Sequence, residues 1–220
     1  MIVALDGPAG VGKSTVAREL AQRMGFQLIE TGAIYRAVGL LAREQGVSLG
    51  DSQALEAIAR ALPLRYVFEG GRNHVYLGDR DVTDALRTPQ ASDDASVVSA
   101  VPEVRAALLG IQRDLAQARD SVMEGRDIGT VVCPQAQVKV FVTASPEVRA
   151  QRRFDELKAE NAEVTLAAVL EDQRVRDDRD ANRDIAPLRP AEDAVILDTS
   201  ELSIEDVIVA VVRMIEAARG

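Results

Sequence analysis

Gly7, Gly12, Lys13 and Ser14, within the stretch GPAGVGKST, satisfy G-x-x-x-x-G-K-[ST] without a gap. The apolar run MIVALD precedes them and the helix-like KSTVARELAQRMG follows. In that setting Gly7, Pro8, Ala9, Gly10, Val11 and Gly12 form a loop whose backbone N–H groups face phosphate oxygens, at the positive end of a helix. Lys13 then bridges the β- and γ-phosphates of a bound nucleotide, the Ser14 hydroxyl ligates Mg²⁺, and Thr15 completes the cradle.

The remaining charged clusters say what the phosphate is for. SVMEGRDIGT gathers Glu124, Arg126 and Asp127 at a strand end. ETGAIYR places Thr31 and Arg36 just after another strand, and SPEVRAQRR puts Arg149, Arg152 and Arg153 at i, i+3, i+4 on one helix face. RVRDDRDANRD adds Arg174, Arg176, Arg179 and Arg183 among aspartates. Taken singly, each run also fits a solvated helix face with internal ion pairs. Together with a P-loop they fit a small-molecule kinase, which must neutralise two anionic substrates and hold them in line. A GTPase would need N-K-x-D, and Asn73, Asn161 and Asn182 are followed by His, Ala and Arg. A large motor would need a longer core. His74 is the one histidine, so a histidine dyad or histidine metal site is not expected. Cys133, the one cysteine, excludes an internal disulfide, suits a reducing cytoplasm and reads as a buried hydrophobe.

These residues need a frame. MIVALD, FQLIE, SVMEG, VKVFVTA and AVILDTS read as strands alternating with helical segments, which predicts an α/β fold with a parallel sheet of about five strands. Ligands then lie beyond the C-terminal strand ends. LRYVFEGGRNHVYLGDRDVT breaks the alternation and reads as a small antiparallel meander, turning at Gly70-Gly71 and Gly78-Asp79. The 220 residues, 47% hydrophobic and 28% charged, fit one α/β core plus an inserted unit. A net charge of −9 disfavours nucleic-acid polymers as partners, and no apolar run reaches membrane length. No exposed apolar stripe stands out, so a monomer is expected.

DGPAGVGKST, ETGAIYRAVGLLA, EGRDIGTVVCP and RDDRDANRDIAPLRPAEDAVILDTS, in that order, closely resemble the bacterial cytidylate kinases over almost the entire chain. The resemblance implies the P-loop nucleoside monophosphate kinase fold and ATP- and Mg²⁺-dependent phosphorylation of CMP and dCMP to CDP and dCDP. It divides the chain into a core (about 1–62, 85–145 and 164–220), an acceptor-binding insertion (about 63–84, with helices to about 100) and a lid (about 146–163). It places Thr31 near the CMP site, Arg36 and Arg126 on the CMP phosphate, and Ser96, Arg105 and Asp127 on the base. Arg176, Asp180 and Arg183 fall on sugar- and phosphate-binding positions, and Arg149, Arg152 and Arg153 in the lid closing on ATP. Lys13, Arg126, Asp127 and Arg183 are the catalytic set this implies. Glu30 and Glu124 stand where many members have aspartate. A binding role and a plain strand-end carboxylate are equal readings of Glu124.

Overall fold

β1 (Ile2–Asp6) is buried at every position, with Val3 and Leu5 on one face and Ile2 and Ala4 on the other. A strand apolar on both faces belongs inside a sheet covered on both sides. The computed structural model of the protein describes residues 1–69, 72–159 and 163–220, and it puts β1 at the sheet's centre. With β2 (Gln27–Glu30), β6 (Ser121–Gly125), β7 (Val138–Thr143) and β8 (Val195–Asp198) it forms a five-stranded sheet in the order β2-β6-β1-β7-β8. Every pairing in it is parallel.

On one face lie α1 (Lys13–Met24) and α8 (Ile204–Arg219), whose Val16, Leu20, Val207, Val211 and Ile215 meet Val3, Leu5, Val122 and Val140. Gly25 closes α1 at φ 66°, donating to the Ala21 and Gln22 carbonyls, the left-handed stop that glycine permits. Ser203 and Asp206 open α8 with a reciprocal capping box. On the other face Ala116 of α5 (Pro102–Gln117) packs on Ile29, Met123 and Cys133.

A second apolar cluster seats the inserted unit. α2 (Thr31–Glu44), α3 (Ser52–Arg60) and α5 present Val38, Leu55, Ile58 and Leu108 to Val75 and Leu77. Those two belong to a three-stranded antiparallel sheet, β3 (Leu64–Glu69), β4 (Arg72–Leu77) and β5 (Arg80–Asp81). The turn expected at Gly70-Gly71 lies outside the described residues, as do residues 160–162 of the expected lid. α4 (Pro89–Val98) precedes α5; α6 (Pro146–Ala159) and α7 (Leu166–Ala181) pack together through Ala150, Leu157 and Val169.

The last strand departs from the buried pattern of its neighbours. β8 is the sheet's edge, and Val195 and Ile196 are exposed there. No helix among the described residues is long and apolar enough to cross a membrane.

Candidate active site

The P-loop runs from the end of β1 to the start of α1, and its backbone dictates glycine. Gly7 (φ 146°), Gly10 (φ 78°) and Gly12 (φ 89°) all lie in the region L side chains avoid. Space adds a second constraint at two of them. A Cβ on Gly7 would stand 2.0 Å from the Val142 carbonyl oxygen, and one on Gly10 would stand 2.6 Å from Gln173 Nε2. A Cβ on Gly12 would meet nothing within 4 Å. Lys13 is buried, and its Nζ donates to the Pro8 carbonyl at 2.7 Å. Burial, reinforced by Arg126, lowers its ammonium to about 7, while Glu124, Asp6 and Asp180 oppose that fall.

The end of β6 faces this loop. The Ser14 hydroxyl donates to Glu124 Oε1 at 2.8 Å, and the Thr31 hydroxyl donates to the Glu124 carbonyl, also at 2.8 Å. Thr31 thereby pins the start of α2 against the P-loop's neighbour strand. A hydroxyl beside a carboxylate is a hard oxygen set, the chemistry that suits Mg²⁺ held mainly by phosphates and water. Among the described residues no three His, Cys, Asp or Glu side chains converge to hold a metal ion. Glu30 is half-buried next to Glu124, and both effects raise its carboxyl. Asn73 Nδ2 contacts Glu30 Oε2 at 3.3 Å and the Tyr66 hydroxyl donates to the Glu30 carbonyl at 2.8 Å, tying the small sheet to β2.

Beyond Glu124 the chain turns sharply and distributes its charges. Asp127 and Arg105 form a buried ion pair, with Arg105 also donating to the Ser99 carbonyl at 3.2 Å. The Arg105 guanidinium lies 5.5 Å from the centre of the buried Tyr35 ring. Arg126 Nε donates to Asp180 Oδ2 at 2.9 Å, and Arg183 Nη1 sits 3.9 Å from Asp180 Oδ1. Arg183 Nε and Nη2 and Arg36 Nε are buried without a hydrogen bond in the protein. Burial lowers both guanidiniums from their ordinary value. These are cations short of an anion.

Other residues singled out in the sequence are placed differently. Ser96 accepts from Arg179 Nη1 at 2.6 Å, and Arg176 pairs with Asp93 and, at 3.0 Å, with Asp172. Arg149, Arg152 and Arg153 share a helix face but not a role. Arg149 is buried against the P-loop, donating to Ala144 and Ala9 carbonyls at 3.1 and 3.2 Å and pairing with Asp177 at 2.7 Å. Arg152 donates to the Thr199 carbonyl at 2.7 Å. Arg153 pairs with Glu156 at 3.1 Å near the surface. Cys133 is fully buried, 3.7 Å from Met123 Sδ, and burial raises its thiol. Asp6 was not singled out in the sequence. A carboxylate ending an otherwise apolar strand was the available signal.

A P-loop opening at the C-terminal edge of a parallel sheet, with arginines and carboxylates facing it, defines a P-loop kinase. The solved shikimate kinase of Bacteroides thetaiotaomicron shares the fold, at TM-score 0.50 and 12% identity over 98% of each chain. The family model for cytidylate kinase matches residues 3–217. The cytidylate kinase of Pseudomonas aeruginosa is 46% identical over 217 residues, 98% of this chain and 95% of that protein. That of Exiguobacterium sp. is 46% identical over 218 residues, 99% of this chain and 97% of its own. The chain belongs to the cytidylate kinase family of phosphotransferases.

Proposed function

We propose that the protein transfers the γ-phosphoryl group of ATP to CMP and dCMP, giving CDP and dCDP. The observation that carries this is the buried Arg105–Asp127 pair beside the P-loop. It offers a donor and an acceptor side by side. Cytosine presents an N4 amine and an N3 acceptor on adjacent positions, so Asp127 accepts from N4 and Arg105 donates to N3 or O2, with Ser96 as a further polar contact. Uracil reverses both groups, leaving each buried partner facing its own kind.

Arg36 and Arg183, whose buried nitrogens lack a protein partner, and Arg126, held by Asp180, neutralise the acceptor phosphate. Asp180 orients Arg126 and is the carboxylate available to a sugar hydroxyl; Arg176 lies on the same helix. The P-loop N–H groups and Lys13 hold the donor phosphates. Ser14 would ligate Mg²⁺ and Glu124 would orient that ligand; the ion supplies charge neutralisation on the transferred group. The acceptor oxygen of a nucleotide phosphate is already ionised near neutral pH, so the residues position rather than deprotonate. Residues 63–84 serve as the acceptor-binding insertion and residues 146–163 as the lid over ATP. Within that lid Arg149 and Arg152 brace the framework, and Arg153 is freer to reach nucleotide.

The test is ADP release from ATP and Mg²⁺ with CMP, dCMP, UMP, AMP and GMP, for the native chain and Asp127→Ala. CMP and dCMP should turn over strongly, UMP poorly, and the variant should lose that preference. Turnover confined to AMP or GMP would overturn the acceptor assignment.

A further inference from the structure

We propose that Asp6 is the positioning residue that aims Asp127 at the substrate base, which rests on Asp127 being the base reader. Asp6 ends β1 and lies in register with Gly125 of β6. Its carboxylate crosses the exit of β6 and accepts two successive backbone N–H groups, from Ile128 at 2.8 Å and Gly129 at 2.7 Å. Those amides open the wide turn Ile128–Val132 that follows Asp127.

Asp127 occupies the capping position of that turn, at φ −146° and ψ 26°, yet its side chain caps nothing. Aspartate is among the residues that most readily accept from amides two or three positions on in its own turn. Here one such amide, Gly129, is already taken by Asp6. Asp127 is left to turn its carboxylate to Arg105 instead. Gly129 makes the approach possible, since a Cβ there would stand 3.4 Å from Asp6 Oδ2 and 3.2 Å from Lys139 Cδ. Burial raises the Asp6 carboxyl to about 6, opposed by the two amides, so it still accepts as a carboxylate in mildly alkaline solution. Without Asp6, the turn's unsatisfied amides would draw the Asp127 carboxylate back onto its own backbone. The base site would lose its acceptor while every substrate-facing side chain remained in the sequence.

The experiment compares Asp6→Asn, Gly129→Ala, Asp127→Ala and the Asp6→Asn/Asp127→Ala double variant with the native chain at pH 8. kcat/KM is measured for CMP and UMP, KM for ATP, and folding by thermal melting. Asp6→Asn is isosteric but turns an N–H₂ toward a backbone N–H. It should lower kcat/KM for CMP by about tenfold or more, one charge-assisted hydrogen bond's worth, while UMP changes by less than about threefold. KM for ATP should stay within about threefold, although Asp6 adjoins the P-loop. The double variant should show the same CMP-to-UMP ratio as Asp127→Ala, because Asp6 acts through Asp127. Gly129→Ala crowds the same contact from the opposite side and should also erode the ratio; it decides the matter if Asp6→Asn fails to fold. Equal losses for CMP and UMP, or a change confined to ATP, would overturn the proposal and leave Asp6 a structural cap. If Asp127→Ala itself kept the native ratio, the base-reading assignment would fall instead.

Discussion

The Ser14 hydroxyl donates to the Glu124 carboxylate across 2.8 Å, joining the first turn of α1 to the end of β6. Both groups lie on rigid elements, so the hydroxyl's direction is fixed before any ligand arrives. On the proposed reading, in which Ser14 ligates Mg²⁺, Glu124 is the support of that hydroxyl. Glu124→Gln keeps an acceptor oxygen for Ser14 but removes the negative charge beside Lys13 and Arg36. We expect about 10–100-fold lower kcat, the usual cost of losing a supporting partner at a metal site, and a higher Mg²⁺ concentration for half-maximal rate. KM for CMP should barely move. Titration of activity with Mg²⁺ checks this, and an unchanged Mg²⁺ dependence would refute the role.

Two P-loop glycines separate strain from collision. Gly12→Ala meets open space and carries only the penalty of a left-handed backbone, about 1–2 kcal/mol. Gly7→Ala drives a methyl to 2.0 Å from the Val142 carbonyl oxygen, so β7 must move. It adds an overpacking cost of about 1–3 kcal/mol. Denaturant unfolding should therefore rank Gly7→Ala clearly below Gly12→Ala. Equal stabilities would mean the β1–β7 contact relaxes freely.

The sequence made the sheet legible because its strands are short apolar runs. MIVALD, SVMEG and VKVFVTA are buried on both faces, and each is a strand of the parallel sheet. The meander was legible from its alternation, and Leu64–Glu69, Arg72–Leu77 and Arg80–Asp81 form that small sheet. Side-chain commitments were less visible. Helical spacing put Arg149, Arg152 and Arg153 on one face. It carried no information that Arg149 would be spent on Ala9 and Asp177, or that Arg152 would reach Thr199, since those partners are remote in sequence. The same holds for Asp6, whose partners lie at Ile128 and Gly129. Ala186 adopts φ 54°, at a position the sequence fills with neither glycine nor asparagine.

Lys13 predicts a proton balance on binding. Its folded-state value is lowered from 10.5 to about 7, chiefly by burial. At pH 8 the free protein therefore holds much of Lys13 neutral, whereas a phosphate dianion beside Nζ favours the cation. ATP binding should take up a proton, and affinity should weaken as pH rises from 7 to 9. The unliganded fold moves the other way. Between pH 7 and 10 the unfolded chain binds the Lys13 proton and the folded chain does not, so this residue's contribution to stability rises with pH. Calorimetry in buffers of different ionisation enthalpy measures the uptake. Buffer-independent heats at pH 8 would contradict it.

Arg183 is where stability and function should separate. Its side chain is 5% exposed, its nearest carboxylate oxygen is 3.9 Å away, and Nε and Nη2 make no hydrogen bond in the protein. An unsatisfied buried donor costs about 1–3 kcal/mol, and a charged one lies at the upper end. Asp180 retains Arg126 at 2.9 Å, so removing Arg183 leaves no orphaned carboxylate. Arg183→Met should therefore stabilise the free protein, raising Tm by about 2–8 °C for a chain of this size. The same variant should lose CMP turnover by about 100-fold or more, because the acceptor phosphate loses a desolvated cation. Melting curves with and without CMP separate the two effects. The native chain should gain more from CMP than the variant, and their order should invert at saturating nucleotide. A variant less stable than the native chain without ligand would show that Arg183 is a structural cation, fully compensated within the fold.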